Sequence, residues 1–177
     1  MKSKKVMIGG VAFVLFAAVF WFYIKPNYIS PAAPVVFTDE QIAAAKRPTV
    51  FLGKSNSPEE KKGAGADGLI LNLKAPAATP AYAKVIIALE FADPEHHYVG
   101  VGEAALPALN EAFAHALKPE MHKILDSVTS VFGSKSPDQA ASTEGREQLK
   151  VELIEAINHH LHEQKVTAIY FETFITQ

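Results

Sequence analysis

The chain has no cysteine among its 177 residues. That excludes a disulfide framework, a thiol nucleophile and a cysteine zinc site. It leaves the compartment open, because many proteins outside the cytoplasm also lack disulfides. The familiar catalytic and nucleotide motifs are missing as well: there is no H-E-x-x-H, G-x-S-x-G, Walker or G-x-G-x-x-G sequence. The V-G-V-G run at 99–102 lacks a third glycine and follows a turn, so it reads as a bend. Carboxylates are scattered at helical intervals, and no pair is marked out as acid and base. No catalytic residue, resident metal, cofactor or small-molecule substrate is indicated. The body of the protein is also short of positive charge. Residues 67–177 hold eight Lys/Arg against fifteen Asp/Glu, whereas residues 1–66 hold nine against four. An acidic body argues against a nucleic-acid partner, because phosphate contacts need a basic surface. At 49% hydrophobic residues the chain is not disordered overall, and its length suits one modest domain with additions.

What is present begins with a long apolar run. Residues 1–5 read M-K-S-K-K, and residues 6–24 then pass without a charge. A helix of that length spans about 28 Å, close to a hydrocarbon core of roughly 30 Å. Trp21, Phe22 and Tyr23 close the run at headgroup depth, and Lys25 comes next to snorkel into water. A cleaved signal peptide would want a shorter run and a small-residue exit, so the stretch reads as an uncleaved anchor touching membrane lipid. Lys2, Lys4 and Lys5 stand before it and only Lys25 close after it, which places the N-terminus in the cytoplasm and the remainder outside.

Residues 25–66 are rich in Pro and Ala and contain G-A-G-A-D-G at 63–68, so they read as a flexible linker. Within it, 38–46 has the makings of a short helix capped by Thr38 or Asp39. From residue 67 the pattern is regular. A strand is expected at 69–73. A second at 83–92 turns Val85, Ile87, Leu89 and Phe91 to one face. Leu106, Leu109, Phe113, Ala116 and Leu117 predict a helix within 102–117. Pro119 is read as opening a second at 119–126. S-V-T-S-V-F at 127–132 is β-rich and is assigned to a strand. Ser142 caps the longest helix, whose buried stripe is Leu149, Leu153, Ile154, Ile157 and Leu161. The last strand, 166–177, is apolar on both faces: Phe174 falls on one with Tyr170, Phe171 on the other, as for a central strand. Tyr170, Phe171 and Phe174 are the candidate oligomer or partner interface. The order β-β-α-β-α-β predicts an α+β domain, a small mixed sheet packed by helices.

Seven histidines are the remaining candidates for chemistry. His159 and His162 are three apart near a helix end, with His160 between them, and Glu155 or Glu163 nearby. A zinc or copper site there needs a third ligand and a second shell, and the simpler reading is exposed cations at a helix C-terminus.

The C-terminal half also carries ordered motifs. They are Pro119, Asp126-Ser127-Val128, Ser134-Lys135-Ser136, then T-E-G-R-E-Q-L-K at 143–150, Glu152-Leu153, Ile157-Asn158 and finally Val166, Ile169-Tyr170-Phe171 and Phe174-Ile175-Thr176-Gln177. In order and spacing these resemble the flagellar basal-body-associated FliL family, with Asn72-Leu73 and V-I-I-A-L at 85–89 similar to its first strands. In that likeness Ser134-Lys135-Ser136 ends a strand. The chain departs from the family pattern at Ser142-Thr143, at Ala140-Ala141 and at Glu172. The resemblance implies a single-pass inner-membrane protein with a periplasmic, stomatin/prohibitin-like domain. It implies a homo-oligomeric ring around the stator membrane proteins of the flagellar motor, tuning torque or stator assembly beside basal-body components. An oligomeric scaffold for another envelope complex would look the same, and a periplasmic metal sensor built on His159, His160 and His162 is the reading from another class.

Overall fold

The alternation at 81–91 governs the architecture. In the computed structural model, which describes residues 36–54 and 68–177, β3 (Ala81–Phe91) is the longest-partnered strand. Two strands precede it, β1 (Thr49–Leu52) and β2 (Leu69–Leu73), and β4 (Val166–Thr176) closes the chain. β2 pairs with the first half of β3, Leu69 opposite Val85, and β1 with the second half, Leu52 opposite Ile87. The two short strands thus share one edge of β3, and β4 occupies the other. Every described pairing is antiparallel, so the expected mixed sheet is replaced by an antiparallel one. The expected anchor at 6–24, with Lys2, Lys4, Lys5, Trp21, Phe22, Tyr23 and Lys25, lies outside the described residues. Among the described residues no helix is long and apolar enough to cross a membrane.

Between β3 and β4 come the helices α2 (Leu106–Leu117), α3 (Met121–Gly133), α4 (Pro137–Ala141) and α5 (Thr143–His160); a short α1 (Asp39–Ala44) precedes the sheet. The larger helices cover the sheet face that carries Val85, Ile87, Leu89 and Phe91, all without solvent exposure. Ile124, Val128 and Phe132 of α3 and Leu149, Leu153 and Ile157 of α5 complete this core. Phe113 of α2 meets Phe91, ring centroids 5.1 Å apart.

Four expectations change here. Residues 127–132 are helical, not a strand. α3 continues through them because Ile124, Val128 and Phe132 recur every fourth residue and enter the core together. Burial of that face overrides the β preference of Val and Thr. Ser134-Lys135-Ser136 therefore follows the end of a helix. Pro119 sits in a 3₁₀ turn (Lys118–Glu120) joining α2 to α3. The Pro/Ala-rich stretch contains β1, with Val50 fully buried. Helix α1 does form there, with Thr38 as its cap. Finally, β4 is an edge strand: among the described residues it pairs with β3 alone.

β4 also breaks strict alternation. Register shifts lie between Ile86 and Ile87 and between Glu90 and Phe91, which leave Glu172 and Thr167 as extra residues on β4. Each insertion reverses the facing of the residues beyond it. Val166, Ile169, Phe171 and Phe174 consequently all oppose core-facing residues of β3. Phe171 and Phe174 share a face instead of dividing between two. Their rings are 5.0 Å apart and flank Phe132 at 6.4 and 6.0 Å.

One junction depends on a missing side chain. Ser142 ends α4 and caps α5: its hydroxyl accepts from Gly145 N–H at 3.0 Å and donates to Gln139 O at 3.2 Å. A β-carbon on Gly145 would stand 1.7 Å from that Gln139 oxygen, so only glycine allows α4 this close to α5. Gly133, at the end of α3, has open space around it. Gly145→Ala is expected to destabilise the protein by about 2 kcal/mol or more through overpacking. Gly133→Ala should be neutral or stabilising by up to about 1 kcal/mol. Thermal unfolding of the two variants side by side checks both; equal melting temperatures would refute the packing argument.

Candidate interaction surface

The histidines go to separate contacts. His160 Nδ1 lies 3.1 Å from Ala156 O and 3.2 Å from Ser127 Oγ, and that hydroxyl also donates to Lys123 O at 2.9 Å. Ser127 is 3% exposed. With carbonyls and a ring nitrogen around one hydroxyl, the contact ties α3 to α5 and activates no nucleophile. Leu161 turns extended at the end of α5, so His162 leaves the helix and does not share a face with His159. His159 instead meets the ring of His160 edge-on at 5.1 Å. Among the described residues no three His, Cys, Asp or Glu side chains come together as a metal site. Glu120, bonded to Lys123 at 2.6 Å, is held below the usual carboxylate range first by that bond, with His122 and His162 adding to it.

A second polar group stands apart. Tyr98 lines a pocket of about 430 Å³ with Pro48, Phe113 and Glu163. It is 4% exposed, and its hydroxyl has no hydrogen-bond partner. Burial first, and the Asp93 carboxylate second, push its pKa up to about 12. Asp93 itself accepts the backbone N–H groups of His97 and Tyr98 at 3.0 and 2.8 Å.

Among the described residues no helix lies over the sheet's other face. Its rows are set by the register: Ile70, Lys84 and Ile175 form one, Asn72, Tyr82 and Gln177 the next, and Phe51, Ala88 and Tyr170 a third. Ile70 is 73% exposed, and Tyr82, Tyr170 and Ile175 are each 40–50% exposed. Ile70, Tyr82, Lys84, Ile175 and Gln177 enclose a hollow of about 290 Å³. Lys54 lies over the Phe51 ring at 3.9 Å and reaches Glu172 at 2.7 Å. Since these residues flank β3 on opposite sides, the ion pair spans the strand near Ile86, which like Ala88 is buried on this face.

Of the three residues proposed as an interface, Tyr170 points to the open face. Phe171 and Phe174 face inward and stay half-buried at the β4 edge. There they floor a cleft of about 370 Å³ walled by Thr143, Arg146, Glu147 and Lys150 of α5. Among the described residues this surface combines exposed apolar groups with an unpaired outer edge of β4.

Residues 66–177 match the family model described as flagellar basal body-associated protein FliL. The chain belongs to the FliL family. It is also 32% identical over 108 residues to the flagellar protein FliL of Aquifex aeolicus (strain VF5), a match spanning 61% of this chain and 56% of that protein. FliL proteins are structural flagellar proteins, not enzymes.

The FliL motifs turn out to be fasteners. Gly145 of T-E-G-R admits the α4 carbonyl. Lys135 of the Ser134-Lys135-Ser136 run reaches Glu152 at 2.6 Å, and its carbonyl accepts from Lys74 N–H at 2.8 Å. Ser136 caps α4 in a reciprocal pair with Gln139. Asn158 of the I-N pair donates to Val166 O and accepts from Val166 N–H, both at 2.8 Å, which pins the end of α5 to the start of β4. Sequence reasoning marked these residues by resemblance but had no signal for their partners, which lie 3 to 61 positions away. Two outcomes test this division between fasteners and free groups. Asn158→Ala leaves two buried backbone groups unpaired and should cost about 2 kcal/mol or more. Tyr98→Phe removes a hydroxyl that bonds nothing, so melting at neutral pH should be unchanged or higher. Because the folded pKa is raised, the native state resists ionisation. Tyr98 thus contributes stability that is full below pH 10 and lost as pH rises towards 12. Tyr98→Phe should flatten that alkaline loss in a pH series of unfolding curves.

Proposed function

We propose that this protein is a membrane-tethered, non-enzymatic component of the flagellar basal body. Its domain would assemble with copies of itself into a periplasmic ring around the stator units of the motor. FliL membership carries the flagellar assignment. The single structural observation that favours assembly is the sheet face left uncovered among the described residues, where Ile70, Tyr82, Tyr170 and Ile175 are exposed on neighbouring rows. The apolar run at 6–24 supplies an anchor, with the domain held outside the inner membrane by the stretch after it. A ring acts here by population: if it binds the assembled stator better than the free one, it shifts that equilibrium and so supports torque, with no chemical step required.

The test is the mass of the full-length protein solubilised from its own membranes, together with what accompanies it. A defined oligomer carrying stator subunits is the expected result. An oligomer carrying some other envelope complex instead would move the protein to a scaffold elsewhere, and a monomer without companions would overturn the assembly reading. Ile70→Asp combined with Ile175→Asp places charge on the open face alone. It is expected to dissociate the oligomer while leaving the domain's melting temperature within a few degrees.

A further inference from the structure

The assembly reading leaves open which surfaces meet, and two features of the chain answer each other. The first is the outer edge of β4. Over 11 residues it carries no strand among the described residues. Alongside it runs the cleft floored by Phe171 and Phe174 and walled by the first turns of α5. Arg146 stands over the Phe174 ring, guanidinium 5.8 Å from the centroid. Its neighbours are already paired, Lys150 with Glu147 and Glu172 with Lys54, whereas Arg146 has no carboxylate partner among the described residues. An edge strand beside a helix, with an aromatic floor and an unmatched cation, is suited to taking an extended segment that ends in acid.

The second feature is the segment leading into α1. No residue of this six-residue helix is buried, and a helix that short is marginal without packing. Val36, just before it, is 87% exposed, the most exposed large hydrophobic among the described residues. Thr38 is extended, and V-F-T at 36–38 favours strands. Asp39 and Glu40 come immediately after, and neither makes an ion pair among the described residues. The segment leads into β1, which lies on the edge of β3 opposite β4. A donor segment and an acceptor edge that are different parts of one copy make a head-to-tail contact, the kind that repeats from copy to copy and closes into rings.

Resting on the homo-oligomeric reading above, we propose that the extended residues 36–38 of one copy add as a strand to the outer edge of β4 in the next, with Asp39 and Glu40 following in the first turn of α1. Val36 enters the cleft over Phe171 and Phe174, and the Asp39–Glu40 carboxylates meet Arg146. The extra residue at Glu172 interrupts the edge and fixes the register of the incoming strand.

The cysteine-free sequence gives a direct test in the full-length protein. Val36→Cys is combined in one chain with Thr143→Cys or Lys150→Cys, both on the cleft wall, and treated with a short bifunctional maleimide. A ladder of cross-linked species beyond the dimer is expected; pairing Val36→Cys with Leu125→Cys should give none. Arg146→Glu should weaken self-association about tenfold, and adding Asp39→Lys with Glu40→Lys should restore it. An intact oligomer that gives no ladder and ignores Arg146→Glu would overturn this contact and leave the assembly reading standing. Cross-linking of Val36 only to a different co-purified protein would overturn it in favour of a foreign strand. A full-length protein that stays monomeric would refute both.

Discussion

Everything in this domain hangs on the burial of one face of β3. Val85, Ile87, Leu89 and Phe91 are removed from water, each worth about 1.5–3 kcal/mol if fully transferred. A strand with such a face must be covered, and α3 and α5 cover it. It must also be satisfied along both edges, because its buried N–H and C=O groups cannot go unpaired. β1 and β2 divide one edge between them, and β4 takes the other end to end. The same requirement does not extend outward: the far edge of β4 and the back of the sheet have no core to enclose.

The parts legible in the sequence are those where local and global signals agree. α5 has a serine cap, an acidic first turn and apolar residues repeating every third or fourth position, and it forms where expected. β3 shows clean alternation and begins two residues earlier than read. The parts that misled are those where they disagree. At 127–132 β-branched residues suggest a strand, but the fourfold spacing from Ile124 to Phe132 extends back into the preceding helix and decides the matter. In β4 the two extra residues shift parity, so counting alternate positions separates Phe171 from Phe174 when the fold joins them. β1 has four residues between Pro48 and Gly53, too few to register against proline-rich surroundings; only its pairing with β3 makes it a strand. Of the candidate interface, Tyr170 is exposed as a surface residue should be, while Phe171 and Phe174 are half core and half cleft.

The FliL motifs divide the labour in a way that fits a protein without catalysis. Gly145, Lys135, Ser136 and Asn158 join helices to one another and to the sheet through contacts at specific atoms. Their work is finished inside one copy. The residues left for the outside are apolar or singly charged and reach no closed arrangement among themselves. Among the described residues the domain has an open strand edge and an uncovered sheet face, which suit the assembly proposed above.

The junction between β1 and β2 has a further consequence. Gly53 and Gly68 both take positive φ, at 84° and 118°, and the Gly68 N–H donates to the Gly53 carbonyl at 2.7 Å. A β-carbon on Gly53 would fall 2.7 Å from Leu69 N and 2.9 Å from Val85 O, so the position is reserved for glycine. The two strands are thereby fastened at the neck of the connection, whatever lies between. Lengthening a closed loop costs only about 0.6 kcal/mol per doubling. The neck is therefore an insertion port. Relatives can differ freely in the length and composition of this loop, and an epitope or fluorophore can be spliced into it, while the pairing of β1 and β2 with β3 is kept.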